Sequence, residues 1–176
     1  ARAIRLGVRP IEHGSRIGAA PAAAVAAAGA HVVPTLSAGE LIGANAAALG
    51  LPASSADTIF AVNRRTLEAV ETLAAAGVKL GLGCDLHGDA FLQTQGRELM
   101  LRGQVQRPVD VLRSATVVNA EIVQMAGKLG QITPGALADM ILVEGDPLAD
   151  LSVFEHSART VRMVMLGGRV ARDRLH

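Results

Sequence analysis

The chain has 176 residues, 50% hydrophobic and 19% charged, with a net charge of +1, which gives enough apolar material for a core and argues against disorder. The near-neutral charge without a basic block, and 2% aromatics with no Trp or Tyr, argue against a nucleic-acid platform or a membrane-surface binder. One cysteine, Cys84, excludes an internal disulfide and suits a cytoplasmic protein.

Residues 1–10 lack the long apolar run of a signal peptide, and the alanine-rich run from Ala19 to Ala30 is too short to span a bilayer. ARAIRLGV reads as the last turns of a helix ending at Gly7, as if the chain begins within a larger unit. VRPIEH (8–13) follows as a strand, with Pro10 near its start where a ladder donor can be missing. APAAAVAAAGA (20–30) predicts a helix opened by Pro21 and stopped by Gly29. HVVPTL (31–36) is the second strand. Residues 37–58, rich in Gly, Ala, Ser and Pro, read as an extended loop over a site, with Glu40 as a contact for a basic group.

An amphipathic helix is expected over 58–77, with Leu67, Val70, Leu73 and Ala74 on one face and Arg64, Arg65, Glu68 and Glu71 away from it. VKLGLGCD is the third strand. Helices are expected over 93–104 and 108–125. From Lys128 the texture becomes β, and ADMILVEG is expected to pair with VRMVMLGGRV. Strands separated by helices predict a parallel α/β arrangement, with a boundary near 126: residues 1–126 form one unit and 127–176 a second, β-rich one.

In parallel α/β arrays, ligands bind at the carboxyl ends of the strands. Strand one ends in Glu12-His13-Gly14 and strand three in Cys84-Asp85, so an imidazole and a carboxylate share one pole. Alternation along strand three places Asp85 on the face of Lys79, Gly81 and Gly83, where two missing side chains would leave room before it. Such a pair suits a divalent ion such as Zn²⁺, and a carboxylate beside the ion can move a proton from water to a leaving amine.

Duller readings stand beside these. His13 can hydrogen-bond a loop, and Asp85 can form a turn or cap a helix. His31 begins a strand at the wrong pole and reads as structural; His156 and His176 read as solvated. Glu12 faces away from His13, toward a helix or a backbone donor. Asp139 reads as a carboxylate capping backbone amides, and Cys84 as small-core packing rather than a nucleophile.

GVRPIEHG, AAAGAHVVPTL, AAAGVKLGLGCD, LRSATVVNAEIV, GKLGQITPGALADMILVEGDPLADL and VRMVMLGGRV, in that order, resemble the metal-dependent amidohydrolases. The resemblance is nearest to the branch of imidazolonepropionase-like enzymes and Xaa-Pro or Xaa-Arg/Lys dipeptidases. Its most specific part is Gly127 to Leu151. It implies the last three βα units of a (β/α)₈ TIM barrel followed by strands of a small β-sandwich. It also implies that His13 is a metal ligand, and that Asp85 contacts the metal and relays the proton. His87 has no fixed family role and is taken as a substrate-binding candidate.

The implied cofactor is Zn²⁺ or another divalent metal, one or two ions, and the implied substrate a dipeptide or cyclic amide cleaved at a C–N bond. The resemblance also implies a His-x-His pair, a bridging lysine or acid and a further histidine that these residues lack. The expectation is therefore the C-terminal portion of an amidohydrolase, cytoplasmic and homo-oligomeric at full length, with two open parallel sheet edges when alone. The alternative is an inactive truncated fragment or a non-catalytic assembly partner.

Overall fold

The structure, a computed structural model, describes residues 2–88 and 94–175. Helix α1 (Arg2–Arg5) ends near Gly7, whose φ of +79° takes the left-handed conformation that stops a helix. Strands β1 (Ile11–Glu12), β2 (His31–Val33) and β3 (Lys79–Leu80) form a parallel sheet in sequential order. Ile11 lies opposite Val32, and Val32 opposite Leu80. Two helices connect and cover these strands. Helix α2 (Ala19–Ala27) buries Ala22 and Val25, which sit against Val32 and Leu80. Helix α4 (Ala53–Ala75) adds Val70 and Leu73 to the same core. The buried stripe of α4 is Thr66, Ala69, Val70 and Leu73, spaced as one helical face; Ala74, expected on it, is exposed.

The expected loop over 37–58 is mostly helix. Helix α3 (Leu36–Ala44) occupies its first part and α4 begins at Ala53. The glycines there serve packing between helices. A Cβ on Gly39 would stand 2.3 Å from Asn63 Oδ1, and one on Gly43 would stand 2.9 Å from the Phe60 ring. Gly39 and Gly43 thus admit side chains of α4 against the α3 backbone, and Asn63 Nδ2 donates to the Leu36 carbonyl at 2.9 Å.

Helix α5 spans Arg97–Gly103; the residues from 89 to 93, where the expected helix would begin, lie outside the described ones. Helix α6 (Pro108–Arg113) continues through a wider π-type stretch (Ser114–Val118) into α7 (Asn119–Ile122). Ser114 Oγ and Thr116 Oγ1 each donate to the carbonyl four residues back, a competition that loosens a helix there.

The second sheet is antiparallel: β4 (Met140–Val143), β5 (Val161–Leu166) and β6 (Arg169–Asp173), in that order. The expected pairing holds, with Met140 opposite Met165. Gly167 and Gly168, both at positive φ, turn the β5–β6 hairpin in two residues. Asp139 Oδ1 accepts from the Gly167 N–H at 2.6 Å, the amide-capping role expected of it. Between β4 and β5 lie a 3₁₀ turn (Leu151–Phe154) and the short helix α8 (Ser157–Thr160). This stretch packs on α5 through missing side chains: a Cβ on Gly96 would fall 1.9 Å from the Phe154 carbonyl oxygen. No helix among the described residues is long and apolar enough to cross a membrane.

Candidate functional site

The carboxyl ends of β1, β2 and β3 supply the residues of one rim. The ladder continues past β1, where the His13 N–H donates to the Val33 carbonyl at 2.8 Å, and past β3, where the Gly81 N–H donates to the Val32 carbonyl at 2.9 Å. Beyond those bonds both chains leave extended geometry. His13 has φ +65° and Asp85 φ +50°, two of three non-glycine residues with positive φ among those described. Such conformations are uncommon and concentrate at working sites.

The two side chains meet. His13 Nδ1 stands 3.9 Å from Asp85 Oδ2, and Asp85 Oδ1 stands 3.3 Å from His87 Nε2. Thr35, just past β2, places its Oγ1 2.8 Å from His13 Nδ1. The rim is open to solvent: His13 is 56% exposed, Asp85 41% and His87 82%. Among the described residues, no three or more His, Cys, Asp or Glu side chains stand close enough together to hold a metal ion.

The floor of the rim is filled. A Cβ on Gly81 would lie 2.5 Å from Ile122 Cδ1 and 2.8 Å from Asn119 Oδ1, and one on Gly83 would lie 2.8 Å from Val33 Cγ1. The glycines of strand three therefore admit neighbours and do not leave room before Asp85. Asn119 also closes part of the sheet edge. Its Oδ1 accepts from the Leu82 N–H at 3.0 Å and its Nδ2 donates to the Leu82 carbonyl at 2.9 Å, as a neighbouring strand would. The third strand's edge is thus less open than expected.

Behind the rim lies a buried ionisable layer. Glu98 and Arg102 of α5 have no exposed surface. Glu98 Oε2 accepts from the Ser37 N–H at 2.7 Å in the first turn of α3, and Ser37 Oγ donates to the Cys84 carbonyl at 3.2 Å. Arg102 Nη1 donates to the Gly81 carbonyl at 2.9 Å and its Nε to Gln106 at 2.5 Å. Burial raises the Glu98 carboxyl above its usual range, against the Ser37 hydrogen bonds. Burial also lowers the Arg102 guanidinium to about 10, with Glu98 opposing. Glu98 Oε1 has no hydrogen-bond partner among the described residues.

Elsewhere, His31 stands at the opposite end of the parallel sheet, with Nε2 3.2 Å from Glu121 Oε2, while Lys79 Nζ lies 2.5 Å from the same oxygen. Those bonds, Lys79 first, hold the Glu121 carboxyl below its usual range, and His31 is structural as expected. Glu40 does meet a basic group, but it is this chain's own Arg97, held by two bonds of 2.6 and 2.7 Å. Glu12 is exposed, not buried against a partner, and His156 is exposed as expected. His176 lies outside the described residues.

Thr35, Ser37, Glu98, Arg102 and Asn119 were not singled out by the sequence. Glu98 and Arg102 are four apart in a helix, which is also the spacing of an ordinary surface ion pair. Ser37 sat inside the stretch read as a loop.

The sequence matches the amidohydrolase family over residues 1–171. No curated protein matches the chain. Among solved structures, one described as an amidohydrolase is 40% identical with a TM-score of 0.93, covering 100% of this chain and 42% of its own. A prolidase complexed with N-methylphosphonate-L-proline is 39% identical with a TM-score of 0.91, covering 98% of this chain and 42% of its own. A Xaa-Pro dipeptidase with methionine bound in its active site is 28% identical with a TM-score of 0.83, covering 97% and 41%. The chain therefore spans less than half the length of these structures.

Proposed function

The chain belongs to the amidohydrolase family, and we propose that it contributes one wall of a metal-dependent hydrolase site cleaving an amide or peptide-like C–N bond in a small substrate. The observation that carries this is the meeting of His13 and Asp85, 3.9 Å apart at the same sheet rim with both backbones left-handed. The prolidase and Xaa-Pro dipeptidase likenesses point to dipeptides as substrates. In this reading residues 1–126 are the last three βα units of a (β/α)₈ barrel, and 127–176 are strands of a small β-sandwich.

The donors fit a divalent cation such as zinc in kind. An imidazole nitrogen and a carboxylate oxygen each ligate zinc at about 2.0–2.2 Å. Thr35 engages His13 Nδ1, the kind of secondary contact that orients a ligating ring, and leaves Nε2 without a bond to Thr35. Catalytic zinc takes about three protein ligands, so the remaining donors come from outside the residues described. Zinc, when bound, polarises the substrate carbonyl and lowers the pKa of water.

Asp85 takes the proton from the attacking water and gives it to the leaving nitrogen, which departs as an amine. His87, 3.3 Å from Asp85, orients that carboxylate and reaches a substrate carbonyl or carboxylate from the loop. The test is zinc content and Xaa-Pro dipeptide hydrolysis by the zinc-loaded protein containing these residues, wild type against Asp85→Asn. Turnover should fall by about 100-fold or more. An Asp85→Asn protein hydrolysing at the wild-type rate overturns the assignment.

A further inference from the structure

The left-handed turn at Asp85 needs a cause. Its own side chain does not supply one among the described residues, where the ionisable neighbours of that carboxylate are the exposed imidazoles of His13 and His87. The preceding peptide, by contrast, is held from below. Ser37 is fully buried; its Oγ donates to the Cys84 carbonyl at 3.2 Å while its N–H donates to Glu98 Oε2 at 2.7 Å. Glu98 is itself fully buried on α5, two helices away in sequence. Burying a carboxyl is costly unless it is well bonded, and here one of its oxygens has no partner among the described residues. A leucine there would fill a core at lower cost, so the acceptor itself is what the position uses.

We propose that Glu98 and Ser37 are positioning residues for Asp85: the buried carboxyl fixes the first turn of α3, and the Ser37 hydroxyl carried by that turn holds the peptide that leads into Asp85. Arg102 completes the support by holding the Gly81 carbonyl four residues upstream on the same strand at 2.9 Å. The consequence for function rests on the reading of Asp85 as the proton carrier. The positioning does not, and it is measured separately.

The experiment is backbone NMR on the chain. Asp85 Cα and Cβ shifts report its φ, and those of Val32 and Leu80 report the intact sheet. In Ser37→Ala, which keeps the N–H bond to Glu98, the Asp85 shifts should leave the left-handed range while those of Val32 and Leu80 stay. Glu98→Ala should move Asp85 in the same sense. Glu98→Gln, which keeps an acceptor for the Ser37 N–H, should restore the wild-type Asp85 shifts. Asp85 shifts unmoved in Ser37→Ala, with the sheet signals unchanged, overturn the proposal. So does Glu98→Gln behaving as Glu98→Ala. Should Asp85→Asn retain turnover while Ser37→Ala moves Asp85, the proton role falls and the positioning stands.

Discussion

The two sheets of this molecule are built from similar apolar words and end in opposite states. Val32 of the parallel sheet is fully buried and Leu80 nearly so, under α2 and α4. Met140, Ile141 and Leu142 of the antiparallel sheet are 39%, 50% and 51% exposed in succession. Successive strand residues point to opposite faces, so both faces of β4 meet solvent, and β4 is also an edge strand. The difference teaches that a run such as MILV announces a strand without announcing what will cover it. It also separates the parts: the parallel sheet owns its core and carries the candidate site, while the antiparallel sheet holds its order through hairpin geometry and Asp139.

The sharpest way to break this contrast is to remove a buried support of the first sheet. Arg102→Ala takes away the donor to the Gly81 carbonyl and the cation near Glu98. It should cost about 3–5 kcal/mol, the sum of a buried carbonyl left without its donor and the cavity left by a fully buried long side chain. Urea unfolding measures it; a cost below about 1 kcal/mol would show that the buried layer carries little of the first sheet's stability. Next in size is a matched pair of truncations. Leu73→Ala, in the core of the first sheet, should cost about 2–5 kcal/mol. Leu142→Ala, on the exposed second sheet, should stay within about 0.5 kcal/mol. Equal costs would mean that something covers β4 in solution.

A smaller effect on stability, with a clear effect on association, is expected from Ile141→Lys. An exposed apolar edge strand invites pairing with another chain, and a lysine there blocks it. Stability should change by less than about 0.5 kcal/mol, while sedimentation velocity should show less self-association than wild type. Unchanged association would place the sticky surface elsewhere.

The parallel sheet and its covering helices were legible because a βα alternation carries both a period and punctuation: Gly29 and Gly77 end helices where expected. The pairing of β4 with β5 was legible from the two apolar runs MILV and VRMVML, which stand out from the Gly- and Pro-rich stretches around them. Helix α3 was not legible. Gly39 and Gly43 lower helix propensity locally, and their benefit, contact with Asn63 and Phe60, exists only after α4 has packed. Gly81 and Gly83 misled in the same way: an absent side chain reads as empty space in a sequence, and in the fold Ile122, Asn119 and Val33 fill it. His13 and Asp85 could be placed at one rim from strand polarity alone. Thr35, Ser37 and Glu98 could not, because their partners lie 22 to 61 residues away and no period links them.

The smallest expected effect distinguishes the two regions by the sign of a pH slope. In the first, burial raises the Glu98 carboxyl above its ordinary 4.5. Between 4.5 and the folded value, the native state binds a proton that the unfolded chain has released, so stability falls as pH rises through that window. In the second region, the Ser152 hydroxyl and N–H lower the fully exposed Asp150 below its ordinary 3.8. Its contribution is present above 3.8 and is lost as pH falls through the folded value. Unfolding midpoints of wild type, Glu98→Gln and Asp150→Asn, followed from about pH 3 to about pH 7 across the carboxylate range, test both signs. The difference between wild type and Glu98→Gln should move against wild type as pH rises, and that between wild type and Asp150→Asn should move in its favour. A Glu98→Gln difference that moves in favour of wild type as pH rises would mean that hydrogen bonds from Ser37 outweigh burial, and that Glu98 is held as a stabilised carboxylate.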